Sequence, residues 1–307
     1  MSAVIEQVVE QIEPAAPEVP FVPGVRTDLE HDDYLRVDAL SASGIKLLLR
    51  SPLHYKMDRE TPREATPATQ IGTAVHMAIL EPERYASDVA IIPANAPRRP
   101  TVAQQNAALP SPATVAAMQW WAEFETAHAG KLMLSAADGE RVGKMAASVR
   151  RHPIHAAMMD DDGDSEVSMF WRDARHDIAC KARFDRLAGG FAYDVKSCQD
   201  ASPDGFARAV ASFRYHYQAA WYSNGYEHVA NESLRAFVFV AVESEPPYAC
   251  AAYVLEPNAI LFGHDQNERA MLLYAQAKKS GYWRGYPERI NPIVLPRWAT
   301  SIATPTY

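Results

Sequence analysis

Cysteine is scarce in this chain. The three that occur among 307 residues, Cys180, Cys198 and Cys250, are scattered and odd in number. That argues against a disulfide framework. No Cys-x-x-Cys pair is present, and four thiolates for an iron–sulfur cluster are not available in one chain. A run of about 18 apolar residues is also missing, so no transmembrane helix is expected. The opening stretch MSAVIEQVVEQIEPAAPEVP lacks the basic start and apolar segment of a signal peptide, and a cytoplasmic location is the default expectation. Positive charge is lacking too. The net charge of −8 argues against a nucleic-acid partner until it is localised: residues 1–33 hold eight acids against one base, Arg26, which leaves the rest of the chain near −1. A near-neutral body can still carry a basic groove, because local potential rather than the total steers a polyanion.

What is there fits a layered α/β domain. Hydrophobic residues make up 48% and charged residues 22%, enough for one large domain or two modest ones. Residues 1–33, acidic and proline-containing, read as a mostly disordered tail. In LSASGIKLLLRSPLHYKM, Ser41 or Ser43 caps a helix bearing Ile45, Leu48 and Leu49, and Pro52 marks its end. Residues 59–69 read as a polar loop. IGTAVHMAILEPERY is a second helix, with His76 in its middle and Pro82 just past its end. Five prolines between residues 86 and 113 indicate a loop crossing the surface. Amphipathic helices follow, and their stripe of Met118, Trp121, Val142, Met145 and Val149 is read as packing. DDDGD at 160–164 is a turn. Next come three strands, EVSMFWRD, IACKARFDRL and FAYDVKS, joined by ARHD and AGG turns into an antiparallel meander. Helices PDGFARAVASF and YHYQAAWYSNGYEHVA, strands RAFVFVAVE and YACAAYVLE, and a long closing helix complete a mixed sheet flanked by helices.

The chemistry concentrates around the AGG turn. Of the eight lysines only Lys196 has an acid two positions before it. Period-two geometry puts Asp194 and Lys196 on one face of a strand and Val195 on the other, and a tight hairpin would lay the Asp185 strand alongside. Carboxylates brought that close raise one another's pKa or recruit a cation. Oxygen-rich sites favour Mg²⁺, Mn²⁺ or Ca²⁺. A lysine beside such an ion can orient a water and neutralise charge building on a phosphoryl oxygen, and the metal polarises the phosphate. This combination points to phosphodiester hydrolysis. His76 on its apolar helix would, taken alone, be a packing residue.

GTAVH (72–76), ARFDRL with Asp185, DVK (194–196) and QAAWY (218–222) stand in the order of the PD-(D/E)xK nucleases, and the arrangement resembles their RecB-like branch. The flanking LSASGIKLLLRSPLHYK, GTAVHMAILEPERY, SEVSMFWRD and FRYHYQAAWYSNGYE resemble the nuclease domain of the RecE-like (exonuclease VIII) exonucleases. The resemblance spans most of the body. It implies a PD-(D/E)xK nuclease core, a central mixed β-sheet flanked by helices with a helical N-terminal elaboration. That domain would span residues 34–290, with a helical insertion over 86–160 and an extension at 291–307. It implies that Asp185, Asp194 and the backbone carbonyl of Val195 bind Mg²⁺, with Mn²⁺ able to substitute, and that His76 approaches the same ion. Lys196 would position or help activate the attacking water. Gln218 and Tyr222, four apart on one helical face, would support the lysine and the DNA backbone, and Glu166 would lie near the metal. Arg214, Tyr215 and His216 are candidate contacts to DNA phosphate, whereas Trp120, Trp121 and Trp171 are expected to pack rather than stack on bases. Some relatives in the branch carry an iron–sulfur cluster; the cysteine count departs from them and favours the RecE-like reading. The activity implied is exonucleolytic, degrading one strand of linear double-stranded DNA 5′ to 3′ within a ring-shaped homo-oligomer. The 3′ tails would pass to a RecT-like single-strand annealing recombinase. The rival readings are a structure-specific endonuclease, a single-strand exonuclease, and a non-catalytic DNA-binding module.

Overall fold

The computed structural model describes residues 19–61, 66–159 and 163–295. The chain runs through β1 (Gly24–Arg26), α1 (His31–Arg36), α2 (Ala42–Arg50), α3 (Pro52–Glu60), α4 (Pro67–Leu80), α5 (Pro82–Asp88) and β2 (Val89–Ile92). It continues with α6 (Val102–Gln105), α7 (Pro112–Ala127), β3 (Leu132–Ser135), α8 (Ala136–Arg151) and α9 (Ile154–Met158). The second half holds β4 (Asp164–Asp173), β5 (Ile178–Ala188), β6 (Phe191–Cys198), α10 (Pro203–Phe213), α11 (Tyr215–Ala230), β7 (Ala236–Glu243), β8 (Cys250–Val254) and α12 (Pro257–Ser280). No helix among the described residues is long and apolar enough to cross a membrane.

The polar–apolar alternation of residues 164–198 folds as the expected meander. β4, β5 and β6 pair antiparallel, and Ala188 faces Phe191 across a two-residue turn. Gly189 and Gly190 there take φ of +56° and +79°, both in the left-handed region that glycine adopts without a steric penalty and that suits the twist of a tight hairpin. β7 then joins β6 in parallel, which needs a crossover; α10 and α11 supply it. With β8 antiparallel to β7 and β1 on the far edge, the mixed sheet has the order β1-β4-β5-β6-β7-β8.

Period two sorts the side chains of β6 and β7 into two cores. Ala192, Phe237, Phe239 and Ala241 face one side, where α2, α11 and α12 pack with Ile45, Trp221 and Met271. Tyr193, Val195, Val238 and Val240 face the other, covered by Val75 and Ile79 of α4 and Val142, Met145 and Val149 of α8. Phe184, Phe206 and Phe239 are essentially fully buried, each contributing about 1.5–3 kcal/mol on transfer from water. α11 comes so near β4 that a Cβ on Gly225 would lie 2.6 Å from the Trp171 ring, and the Trp221 indole N–H donates to the Lys181 carbonyl at 3.0 Å.

Several boundaries differ from the sequence reading. The tail expected over 1–33 contains β1 and the start of α1; residues 1–18 lie outside the described residues. Leu29 and Tyr34 are buried against Phe170 on the outer edge of β4, with Phe21 packed on them. Lys181 Nζ also donates to the carbonyls of Tyr34, Leu35 and Val37, tying down the end of α1. Composition cannot show such partners. Ser41 caps α2, and Ser51 closes it while its hydroxyl caps α3, so Pro52 is a first helical residue as well as a stop. The supposed loop at 59–69 is shortened from both sides by α3 and by α4, capped by Thr66, and its residues 62–65 lie outside the described residues. The 86–160 segment is not wholly helical, since β2 and β3 pair as a small parallel sheet. Met118 leaves the packing stripe at 37% exposure. Of DDDGD, residues 160–162 lie outside the described residues and Asp164 already opens β4; of the 291–307 extension, 291–295 have no regular structure and the rest lies outside.

Candidate active site

The site forms where the meander stops being regular. Val167 pairs with Phe184 and Ser165 with Arg186, so Glu166 and Asp185 face each other across the register between them. Glu166 takes φ +55° there, an uncommon conformation for a residue with a Cβ. The alternation of β5 slips at the same level: Phe184 lies in the α11-side core and Ala188 in the α4-side core, although period two would put both on one face. On the other side of β5, pairing with β6 ends at Arg186–Tyr193. One step further the strands have opened, and Asp185 Oδ2 accepts the Val195 N–H at 2.8 Å in place of a ladder bond.

Two groups of side chains meet in this opening. The first is acidic with one imidazole. α4 brings His76 Nδ1 to 3.2 Å from Asp185 Oδ2, and His76, Glu166 and Asp185 each offer a ligand atom, all within 4.8 Å of one another. Arg183, buried on β5, donates through Nε to Glu166 at 2.6 Å and through Nη1 to the Leu29 carbonyl and Ser168 Oγ. Burial pushes the Asp185 carboxyl up to about 6; positive charge on His76 and Lys196 pulls it back, and Asp194 and Glu166 add to the rise.

The second group carries its own cation. Asp194 is 3% exposed, with Oδ2 at 2.5 Å from Lys196 Nζ and Oδ1 accepting from Gln218 Nε2 at 2.7 Å. Burial works against the Lys196 ammonium, but the charges of Asp194 and Asp185 outweigh it, and its pKa lies above the usual lysine value. Those charges favour the ammonium form of Lys196. Its Nζ lies 5.3 Å from the centroid of the Tyr215 ring, and Lys46 Nζ lies 5.5 Å from the same centroid.

With this geometry in view, comparison with known proteins is decisive for the family. A family described as a PDDEXK-like domain of unknown function (DUF3799) matches residues 41–295. The chain belongs to this family. A solved structure of a candidate exonuclease from Eubacterium rectale is similar with a TM-score of 0.56 and 13% identity, over 88% of this chain and 97% of that one. At that identity the likeness is one of fold. A second solved structure, SSO0001, gives a TM-score of 0.29 at 13% identity over 68% of this chain and 87% of that one, too low to carry an argument. No curated protein matches the chain.

The DUF3799 domain thus has the mixed sheet and flanking helices of a PD-(D/E)xK nuclease domain, and its donor set fits a divalent cation. An imidazole nitrogen and carboxylates from Glu166 and Asp185 converge. Asp194 Oδ2 beside them is buried without an aligned hydrogen bond, the Lys196 ammonium approaching off the bonding direction. Hard oxygen donors with one imidazole suit Mg²⁺ or Mn²⁺. His76, Glu166 and Asp185 form the trio, while Asp194 lies beside it and is engaged by Lys196 and Gln218. The N–H and C=O of a strand residue leave on the same edge, so the Val195 carbonyl also faces the opening.

Tyr222 packs edge-on against Phe184 and Phe237, and burial pushes its hydroxyl well above the usual tyrosine range. The ring next to Lys196 belongs to Tyr215, which also stacks on Phe213 and Phe239. His216 is buried and stacked on Phe262 of α12, which leaves little of it for a phosphate. Arg214 is exposed at the α10–α11 junction. Trp171 is buried against Trp221, and Trp120 and Trp121 pack with Phe124. The sequence reading missed Arg183 and Lys46. Arg183 stood two residues before Asp185 on the same strand, and Lys46 stood one helical turn before Arg50 amid leucines; both signals were present.

Proposed function

We propose that this protein is a Mg²⁺-dependent exonuclease of the RecE-like type, acting on linear double-stranded DNA. The observation that carries the proposal is the meeting of the His76–Glu166–Asp185 group with the Asp194–Lys196 ion pair in one break of the sheet. A divalent ion held by His76, Glu166, Asp185 and Asp194 would supply Lewis acidity to a phosphate oxygen and acidity to a bound water. Lys196, held as an ammonium, stabilises negative charge developing on the phosphate. Gln218 fixes Asp194, and Arg183 fixes Glu166, each through one hydrogen bond. Strand polarity of 5′ to 3′, delivery of 3′ tails to a RecT-like recombinase and a ring-shaped homo-oligomer belong to the same reading, supported by the resemblance of the quoted motifs.

The test is digestion of linear duplex DNA with Mg²⁺ or Mn²⁺ against a closed circle, comparing the wild type with Asp194→Ala and Lys196→Ala. Nucleotide release from the linear substrate alone, lost in both variants, supports the proposal. Cleavage of the circle would replace it with an endonuclease. Degradation confined to single strands would replace it with a single-strand exonuclease, and no cleavage at all with a binding module.

A further inference from the structure

On the α11 side of the sheet a second concentration of charge lies next to the carboxylates. Lys46 and Arg50 of α2, Arg214 at the α10–α11 junction and Arg269 of α12 line a cleft of about 270 Å³ together with Tyr217 and Gln266. Three separate parts of the chain therefore bring positive charge to one opening. Among the described residues none of the four forms an ion pair. Several arginines elsewhere are paired: Arg84 with Glu30, Glu81 and Asp88, Arg99 with Glu125, Arg175 with Glu268, Arg208 with Asp200. Arg214 also holds φ +58°, outside the comfortable range for a side chain of its size. Like charges gathered without counterions repel, and a strained backbone residue holding one of them adds to the cost. An anionic ligand offsets the first of these.

Lys46 links the cleft to the site. Lys46 and Lys196 lie at 5.5 and 5.3 Å from the same Tyr215 ring. Burial and the nearby charge of Lys196 pull Lys46 down to about 8, with Asp194 opposing them only in part. We infer that Lys46, Arg50, Arg214 and Arg269 form a phosphate-binding cleft that holds the backbone of the substrate strand beside the bond presented to Asp194 and Lys196. The identity of the strand rests on the nuclease reading above; the anion chemistry of the cleft does not. Arg guanidinium groups match phosphate oxygens in a planar fork, and Tyr217 and Gln266 add polar groups to the wall.

The experiment measures binding rather than cleavage. A fluorescent single-stranded 12-mer, with or without a 5′-phosphate, is titrated in chelator across a salt series. The proteins are the wild type, Arg50→Gln/Arg269→Gln, Lys46→Gln/Arg214→Gln and, as a control outside the cleft, Arg175→Gln. The expected result is binding weakened about tenfold or more in each double variant. The slope of log K against log salt should flatten by roughly 0.7 for each phosphate no longer neutralised, with Arg175→Gln unchanged. Preference for the 5′-phosphorylated strand that disappears in the double variants assigns the cleft to an end phosphate; equal weakening for both strands assigns it to internal diesters. Wild-type affinity and slope in both double variants would overturn the inference. Binding by the wild type that is abolished in the variants, alongside no cleavage in the separate digestion with Mg²⁺ or Mn²⁺, would leave the cleft standing and sink the nuclease reading alone.

Discussion

Asp185 and Asp194 stand opposite each other across β5 and β6, yet they live in different electrostatic surroundings. Asp185 has a second carboxylate and a histidine for neighbours, and its ionised form is penalised by burial. Asp194 is more deeply buried but has an ammonium at 2.5 Å and an amide donor at 2.7 Å. The first surroundings set two carboxylates against the single guanidinium of Arg183 and fit a further cation; the second match one carboxylate with one ammonium. On the proposed reading this division sets metal capture by His76, Glu166 and Asp185 apart from charge stabilisation by Lys196, with Asp194 touching both.

The largest effect should come from the lysine half. Lys196→Ala is expected to lower kcat by about 10²–10³-fold, the usual cost of removing a preorganised charge stabiliser, while Mn²⁺ binding followed by calorimetry persists. Loss of metal binding in that variant would erase the division. Lys196→Arg should not restore the rate, because a planar guanidinium does not replace a compact ammonium.

Asp185→Asn addresses the other half and should abolish Mn²⁺ binding. Its effect on stability has a definite sign. The folded value of about 6 lies above the ordinary 3.8, so between these values the folded protein holds more protons than the unfolded one. The stabilising contribution of this group is complete below about pH 4 and is lost as pH rises through about 6. Without metal, Asp185→Asn is expected to melt above the wild type at neutral pH and level with it below about pH 4. Equal melting at all pH values would show that Asp185 is not held under this penalty. Wild-type affinity for Mn²⁺ should also fall as pH drops through about 6, as proton and metal compete for one carboxylate.

Smaller effects belong to the supports. Gln218→Ala and Arg183→Ala should each cost about 10–100-fold, in turnover for the first and in metal affinity for the second. Equal metal affinities in the two variants would blur the two halves. Gly225→Ala, far from both, should destabilise the protein by about 1–3 kcal/mol as the new methyl meets Trp171, with metal affinity unchanged.

Much of this was legible in the sequence. The meander, the Gly-Gly turn and the shared face of Asp194 and Lys196 follow from local rules: a period of two and the freedom of glycine to take positive φ. Where those rules break, reading stops. No periodicity reveals that β5 changes face at Asp185 or that Glu166 turns left-handed beside it, where Arg183 of the neighbouring strand holds the Glu166 carboxylate. Leu29, Tyr34 and Lys181 owe their partners to residues more than a hundred positions away in sequence, which composition cannot foresee. His216 reads as a candidate phosphate contact because nothing in the sequence shows Phe262 arriving over it.

Asp185 accepts a strand hydrogen bond from Val195 with the same oxygen that faces His76. Position 185 is therefore answerable to two demands at once. An alanine there would strip β6 of an acceptor as well as the site of a charge, and its failure would say nothing about which loss mattered. An asparagine keeps an oxygen within reach of the Val195 amide and gives up only the negative charge. In this molecule a single atom is both a stitch in the sheet and a tooth of the site.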